Sequence, residues 1–220
     1  MRPHNLLPAL LFSFASAPSF AQDPVAIDLH AAVQKGDIEV YNRKLNLVNE
    51  PGYAGIQLST DYGEGLAWVK GSEFSNGVIE FDVRGVNVEQ HSFVGIAFHG
   101  ANDSTFDSIY LRPFQFRKAD EALRSHAIQY ISLPHYTWRA LRATSPGTYE
   151  HAIDPPPDPN GWVHMRVVVQ GGTITTFING ANEPSLVVKK VTKLHTGRVG
   201  FYVADTSGGE SANISITRTN

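Results

Sequence analysis

The chain has 220 residues, with 18 Lys+Arg against 21 Asp+Glu and a formal net charge of −3. That balance supplies no basic field, so nucleic acid and anionic membrane are excluded as expected partners. There is no cysteine, which excludes thiol catalysis, disulfides and thiolate-held metals.

The first residues read as a leader. Arg2 and His4 precede the apolar run Leu6 to Phe14, and Ser19 and Ala21 are the small residues ahead of a cut before Gln22. This is a secretory signal pattern over residues 1–21. The run is shorter than the roughly 20 apolar residues of a membrane span, and Pro8 interrupts it. The expectation is a secreted or periplasmic protein with no membrane partner once the leader is gone. Residues 22–220 read as one domain with a core large enough to stand without disulfides.

Ala26 to Leu47 opens with a few strand residues and a polar linker. Glu39-Val40-Tyr41 and Lys44 to Val48 alternate and read as an early hairpin. Pro51-Gly52 is a turn. Ile56 and Leu58 flank Gln57 in the next strand, and Leu66 to Val69 follows a turn at Asp61 to Gly65. Trp68, in an apolar run, reads as core.

Val78 to Arg84 is the clearest strand. Ile79, Phe81 and Val83 share one face; Glu80, Asp82 and Arg84 share the other. Period two marks one buried and one wet face. Phe93 to His99 is the next strand. Ser108 to Phe116 follows, with Tyr110, Arg112, Phe114 and Phe116 in step and Pro113 marking an edge, a bulge or an end.

Residues 106–160 then read as an insertion crowded with Arg, His and aromatic side chains. Short helical turns are expected at Lys118 to Ser125 and at Thr137 to Ala143, the second capped by Thr137. Ala127 to Leu133 reads as extended, and Asp154 to Asn160 as a rigid Pro-rich loop.

Trp162 to Gln170 alternates strictly. Val163, Met165, Val167 and Val169 face a core, and Trp162, His164 and Arg166 face out. Gly171-Gly172 turns into Thr173 to Ile178, and Asn179-Gly180 is the strongest hairpin signal of the chain. Ser185 to Lys189, Arg198 to Ala204 and Ala212 to Thr217 complete the set. Roughly a dozen short strands with almost no helix predict an all-β fold, best matched by a two-sheet antiparallel jelly-roll sandwich.

Three segments carry a family resemblance. Glu73-Phe74-Ser75-Asn76-Gly77-Val78-Ile79-Glu80-Phe81-Asp82-Val83 resembles the first core strand of concanavalin A-like lectin and glucanase domains. Trp162 to Val169 with Thr173 to Gly180 resembles the paired strands and Asn-Gly turn seen there and in laminin G-like domains. Gly197 to Val203 resembles the strand that follows. The bacterial 3-keto-disaccharide hydrolase family is similar in layout. The resemblance spans about Trp68 to Thr217. It implies a groove on the concave sheet and a carbohydrate partner. No Glu-x-Asp-x-Glu occurs here, so the retaining mechanism of laminarinase-type relatives is not carried over. Their Ca²⁺ ligand pattern is not recognisable either, and no cofactor or metal is expected.

Four groups of residues are candidates for chemistry. Tyr110, Arg112 and Phe114 would face the groove, the guanidinium offering a fork of donors to carboxylate or vicinal hydroxyls; the alternative is Arg112 paired with Glu80 or Asp82. His126, Gln129, Tyr130, His135 and Tyr136 form a second cluster, with His126 or Tyr130 as a base for elimination, or as ties for a long loop. Trp138, Trp162 and Tyr149, with His164 and Arg166, offer aromatic and polar contacts to sugar; the alternative for Trp162 is a plug at the sheet end. Glu80, Asp82, Asp107 and Glu150 are the carboxylates available for glycoside hydrolysis, which needs a pair about 5 to 10 Å apart; Glu80 and Asp82 are the pair preferred. His126, His135, His151 and His164 lack a short metal-ligand spacing. The expectation is an exported protein that hydrolyses or eliminates a glycoside or polysaccharide, or a non-catalytic glycan-binding module of the same fold.

Overall fold

A computed structural model describes residues 22–219; the leader assigned to 1–21 lies outside the described residues. The strands, in chain order, are β1 (Val25–Ala26), β2 (Ile38–Tyr41), β3 (Leu45–Glu50), β4 (Tyr53–Leu58), β5 (Gly65–Phe74), β6 (Gly77–Arg84), β7 (Val94–Asn102) and β8 (Thr105–Leu111). Then come β9 (Ile128–Leu133), β10 (Glu150–His151), β11 (Val163–Gln170), β12 (Thr173–Ile178), β13 (Leu186–Lys189), β14 (Gly197–Val203) and β15 (Gly209–Arg218). The α-helices among the described residues are α1 (Leu29–Lys35), α2 (Glu121–Arg124) and α3 (Trp138–Thr144), and Pro113–Gln115 forms a 3-10 turn.

Two antiparallel sheets result, as the alternation predicts. One has eight strands, ordered β13-β12-β11-β6-β15-β4-β3 with β1 beside β15. The other has seven, ordered β10-β9-β8-β7-β14-β5-β2. The chain is an all-β jelly-roll sandwich. The inner faces meet where Phe81 of β6 packs edge-on against Phe201 of β14, 6.2 Å between centroids. Ile79, Phe81 and Val83 of β6 and Met165, Val167 and Val169 of β11 are buried there. Burial of apolar area on this scale supplies the main driving force for folding.

Local chemistry explains the departures from expectation. Residues 38–41 and 45–50 do not pair with each other: β2 joins β5 in one sheet and β3 joins β4 in the other. Arg43 sits at that corner and donates to the carbonyls of Asn42, Gly63 and Ala204, which lets the chain change sheets. The stretch read as linker contains α1, capped by the Asp28 side chain at Ala31 N–H and closed by Gly36 at φ 73°. The tight two-residue hairpin turn is Gly171–Gly172, both at positive φ, between the paired Gln170 and Thr173. Asn179 and Gly180 are also left-handed but begin a longer connection to β13. Both short helices of the insertion form where expected, with Thr137 capping α3.

A second apolar layer covers the outer face of the seven-stranded sheet. Pairing places Tyr202, Gly95, Tyr110 and Gln129 side by side across β14, β7, β8 and β9 on this face. Trp68, Phe106, Tyr110 and Tyr202 are buried and pack ring to ring along it. Phe93, Phe114 and α3 close over one end. Trp68 is thus buried as expected, but in this outer layer, with Nε1 donating to Asp103 at 2.7 Å.

Candidate functional site

The outer layer is not closed everywhere. A cavity of about 630 Å³ opens on the sheet beside Tyr110 and Tyr202. Trp138 and Arg139 of α3 form one wall, and Glu64, His91 and Asp205, from loops at the strand ends, form the others. Volume in this range suits a small ligand or one or two sugar units.

The most perturbed acid in the wall is Glu64. It precedes β5, opposite the end of β14, so it reaches the Tyr202 hydroxyl, which donates to Glu64 Oε2. Burial pushes the Glu64 carboxyl up; the Tyr202 hydrogen bond opposes this, and Asp205 adds to it. Burial also raises the Tyr202 phenol well above its usual range and takes Tyr110 up to about 12. Asp205 is tied to the same loop through Gly63 N–H at 2.9 Å. The cavity therefore offers aromatic surface together with a protonatable carboxyl, a second carboxylate, an imidazole and the Arg139 guanidinium.

Behind Trp138 lies a buried ionic group. Glu150 of β10, paired with Gln129, is 3% exposed. Arg142 holds it with two hydrogen bonds, His126 Nδ1 lies 3.0 Å away and Arg112 Nη1 3.9 Å away. Arg112 also donates to the His126 carbonyl, the Tyr110 hydroxyl and Gln129 Oε1. Its partner is thus Glu150, not Glu80 or Asp82. Three guanidiniums, those of Arg112, Arg139 and Arg142, lie within 6.0 Å of the Trp138 ring centre.

The expected site residues divide among four places. Tyr110 and Trp138 line the cavity; Arg112, Gln129 and His126 lie beneath or beside it, and Phe114 is buried against Phe93. His135 and Tyr136 stand exposed on the turn before α3. Tyr130 belongs elsewhere: neighbouring side chains of a strand alternate, so while Gln129 faces outward Tyr130 faces the sandwich interior. There its hydroxyl donates to Asp107 Oδ1 at 2.8 Å, and the ring is fully buried. That position removes it from the cluster with His135 and Tyr136. Asp107 also takes His99 Nδ1 at 2.8 Å, with Lys190 Nζ 3.7 Å away.

Glu80, Asp82, Trp162, His164 and Arg166 are on the opposite side of the molecule, the outer face of the eight-stranded sheet. β6 and β11 pair there, setting His164 beside Asp82 and Arg166 beside Glu80. His164 Nδ1 meets Asp82 Oδ1 at 2.8 Å, and the Asp82 hydrogen bond raises the imidazole pKa. Trp162 stacks on Tyr53 at 4.4 Å with Arg84 4.7 Å from its ring. These residues satisfy one another, and they do not meet His126 in any cavity.

Glu64, His91, Arg139, Tyr202 and Asp205 were not singled out from sequence. Glu64 sits in a stretch that reads as a turn, and Asp205 in another. Tyr202 carried a usable signal: it falls in the apolar run Val199 to Val203, where a phenol needs a polar partner.

The chain matches no protein-family model and no curated protein. Solved structures do match. A carbohydrate-binding module, CBM66 from Bacillus subtilis, aligns with TM-score 0.57 at 11% identity over 84% of this chain and 95% of that one. The likeness is one of fold, the two-sheet antiparallel jelly-roll sandwich. A protein of unknown function with a galectin-like fold, also from Bacillus subtilis, gives TM-score 0.59 at 14% identity, covering 92% and 99%. A native glycosidic hydrolase gives 0.55 at 11%, covering 88% and 94%. At such identities the likeness is one of architecture.

Proposed function

We propose that this is an exported carbohydrate-binding protein that holds a glycan in the cavity between α3 and the outer face of the seven-stranded sheet. The observation that carries the reading is the wall itself. Phe93 and Trp138, over a floor formed by the buried Tyr110 and Tyr202, supply aromatic surface for the C–H faces of a sugar, and Glu64, His91, Arg139 and Asp205 supply hydrogen-bonding partners for its hydroxyls. The architecture shared with a carbohydrate-binding module and a glycosidic hydrolase supports the same partner.

One feature favours a second reading, hydrolysis of the bound glycoside. Glu64 is a half-buried carboxyl that keeps its proton to higher pH than an ordinary glutamate, as a general acid must. Asp205 is the carboxylate nearest in role. In that reading Glu64 and Asp205 replace Glu80 and Asp82 as the catalytic candidates.

A glycan panel tests both. Saturable binding that disappears on substitution of cavity residues supports recognition, and new reducing ends that require Glu64 support hydrolysis. Failure of every glycan to bind would refute the proposal.

A further inference from the structure

Trp138 separates the large cavity from a smaller one of about 180 Å³. Gln90, Phe93 and Trp138 line both, so the two are adjoining rooms with a common wall. The smaller room is floored by Arg112, Gln115, His126 and Arg142.

Its charge is one-sided. Two guanidiniums, Arg112 and Arg142, face one carboxylate, Glu150. Burial lowers the His126 pKa although Glu150 raises it. Arg142 spends Nε and Nη2 on Glu150. Arg112 spends Nη1 and Nη2 on the His126 carbonyl, Tyr110 and Gln129. One positive charge is left over, and each guanidinium keeps N–H groups that these bonds do not use.

Gln115 gives the independent observation. It is 4% exposed, it lines the same room, and its Oε1 is buried with no hydrogen-bond partner among the described residues. A buried acceptor left unmet costs about 1–3 kcal/mol, so the site calls for a donor.

We propose that the glycan bound by this protein carries a carboxylate, and that the smaller room is the subsite for that acidic sugar. This rests on the carbohydrate reading given above. Arg112 and Arg142 receive the carboxylate, and Gln115, its side chain turning Oε1 out of its buried position into the room, accepts from a hydroxyl of the same ring. The sugar is thereby oriented: its acid lies on the guanidinium side of Trp138, and its neutral hydroxyl-bearing neighbour extends toward Glu64 and Asp205.

Calorimetric titration tests this with oligosaccharides of glucuronate, galacturonate and mannuronate, each beside its methyl ester, and with neutral oligosaccharides of equal length. At least one acid should bind roughly tenfold or more tightly than its ester. Arg142→Met and Gln115→Leu should each draw that ratio toward one. Gln115→Leu leaves the Arg142–Glu150 pair in place, so it reports even if the arginine variant fails to fold. Equal affinity for acid and ester, or a preference that survives both substitutions, overturns the inference. Neutral glycans binding without any acid preference overturn it while leaving the carbohydrate reading standing. No binding to any glycan overturns both.

Discussion

Arg142 grips Glu150 through two hydrogen bonds, Nε to Oε1 at 2.7 Å and Nη2 to Oε2 at 2.6 Å. The pair joins α3 to β10 and so fixes the wall that carries Trp138. Because Glu150 is buried, Glu150→Gln leaves two guanidiniums without a counter-charge. It should cost about 3–5 kcal/mol, read from urea unfolding. A loss under about 1 kcal/mol would mean that solvent reaches the pair and that it does not anchor the wall.

Trp138 is half-buried, so its removal exposes little core. Trp138→Ala should therefore leave the unfolding midpoint within a few degrees of the parent. Glycan affinity should fall at least about tenfold, as expected of an aromatic anchor worth about 2 kcal/mol. Calorimetry and thermal unfolding on the same sample separate the two effects.

Tyr202 holds Glu64 by a hydrogen bond that works against burial. Tyr202→Phe removes it, so the Glu64 carboxyl should rise further, visible in a ¹³C-detected carboxyl titration. The sign is fixed: a raised carboxyl favours the folded state while protonated and loses that advantage as pH climbs through the folded value. The variant should thus titrate at higher pH than the parent. A downward movement would show that the phenol does not donate to Glu64.

Asp107 stays below the usual aspartate range. Burial pushes it up, and the hydrogen bonds of His99, Ser132 and Tyr130 outweigh that. A depressed carboxylate stabilises the fold above its unfolded pKa and stops doing so as pH falls through its folded value. Asp107→Asn should cost about 3–5 kcal/mol at pH 7, since His99 and Lys190 lose their shared partner. The gap between variant and parent should narrow in acid below about pH 4. A gap that holds constant from pH 7 to pH 2 would contradict this account.

Asp82 and His164 test which face is functional. Asp82→Asn should lower the His164 ring pKa, since Asp82 is the main cause of its elevation. Glycan binding should be unaffected, because the pair lies on the far side of the molecule from the cavity. Loss of binding in this variant would move the site to the eight-stranded sheet.

The sheets were legible because β6 and β11 have one wet face. Glu80, Asp82, His164 and Arg166 alternate with residues buried almost completely. The same exposure made those four conspicuous as site candidates, yet polar residues on a solvated face pair with one another whether or not anything binds. β8 and β9 hid their arrangement for the opposite reason. The insertion covers their outer face, so Asp107, Ser108, Gln129 and Tyr130 are all buried and no polar-apolar rhythm separates the two sides. Parity along the strand sets Tyr110 and Gln129 on the cavity side and Asp107 and Tyr130 on the core side, but parity acquires meaning only when one face is known. Glu64 and Asp205 were invisible because they belong to loops from different parts of the chain, brought together by β5 pairing with β14.

The roof over the cavity is a single excursion of the chain, Pro134 to Tyr149, departing from β9 and returning at β10. It is fixed by the buried Leu141, by Arg142 on Glu150, and by backbone hydrogen bonds that pair Tyr136 with Ser132 and Tyr149 with Tyr130. The interior between the sheets draws on other residues. The wall that carries Trp138 and Arg139 thus belongs to a different stretch of chain from the residues packed between the sheets. A library randomised across this excursion, with Leu141 and Arg142 kept, is a direct route to new sugar specificities on an unchanged sandwich.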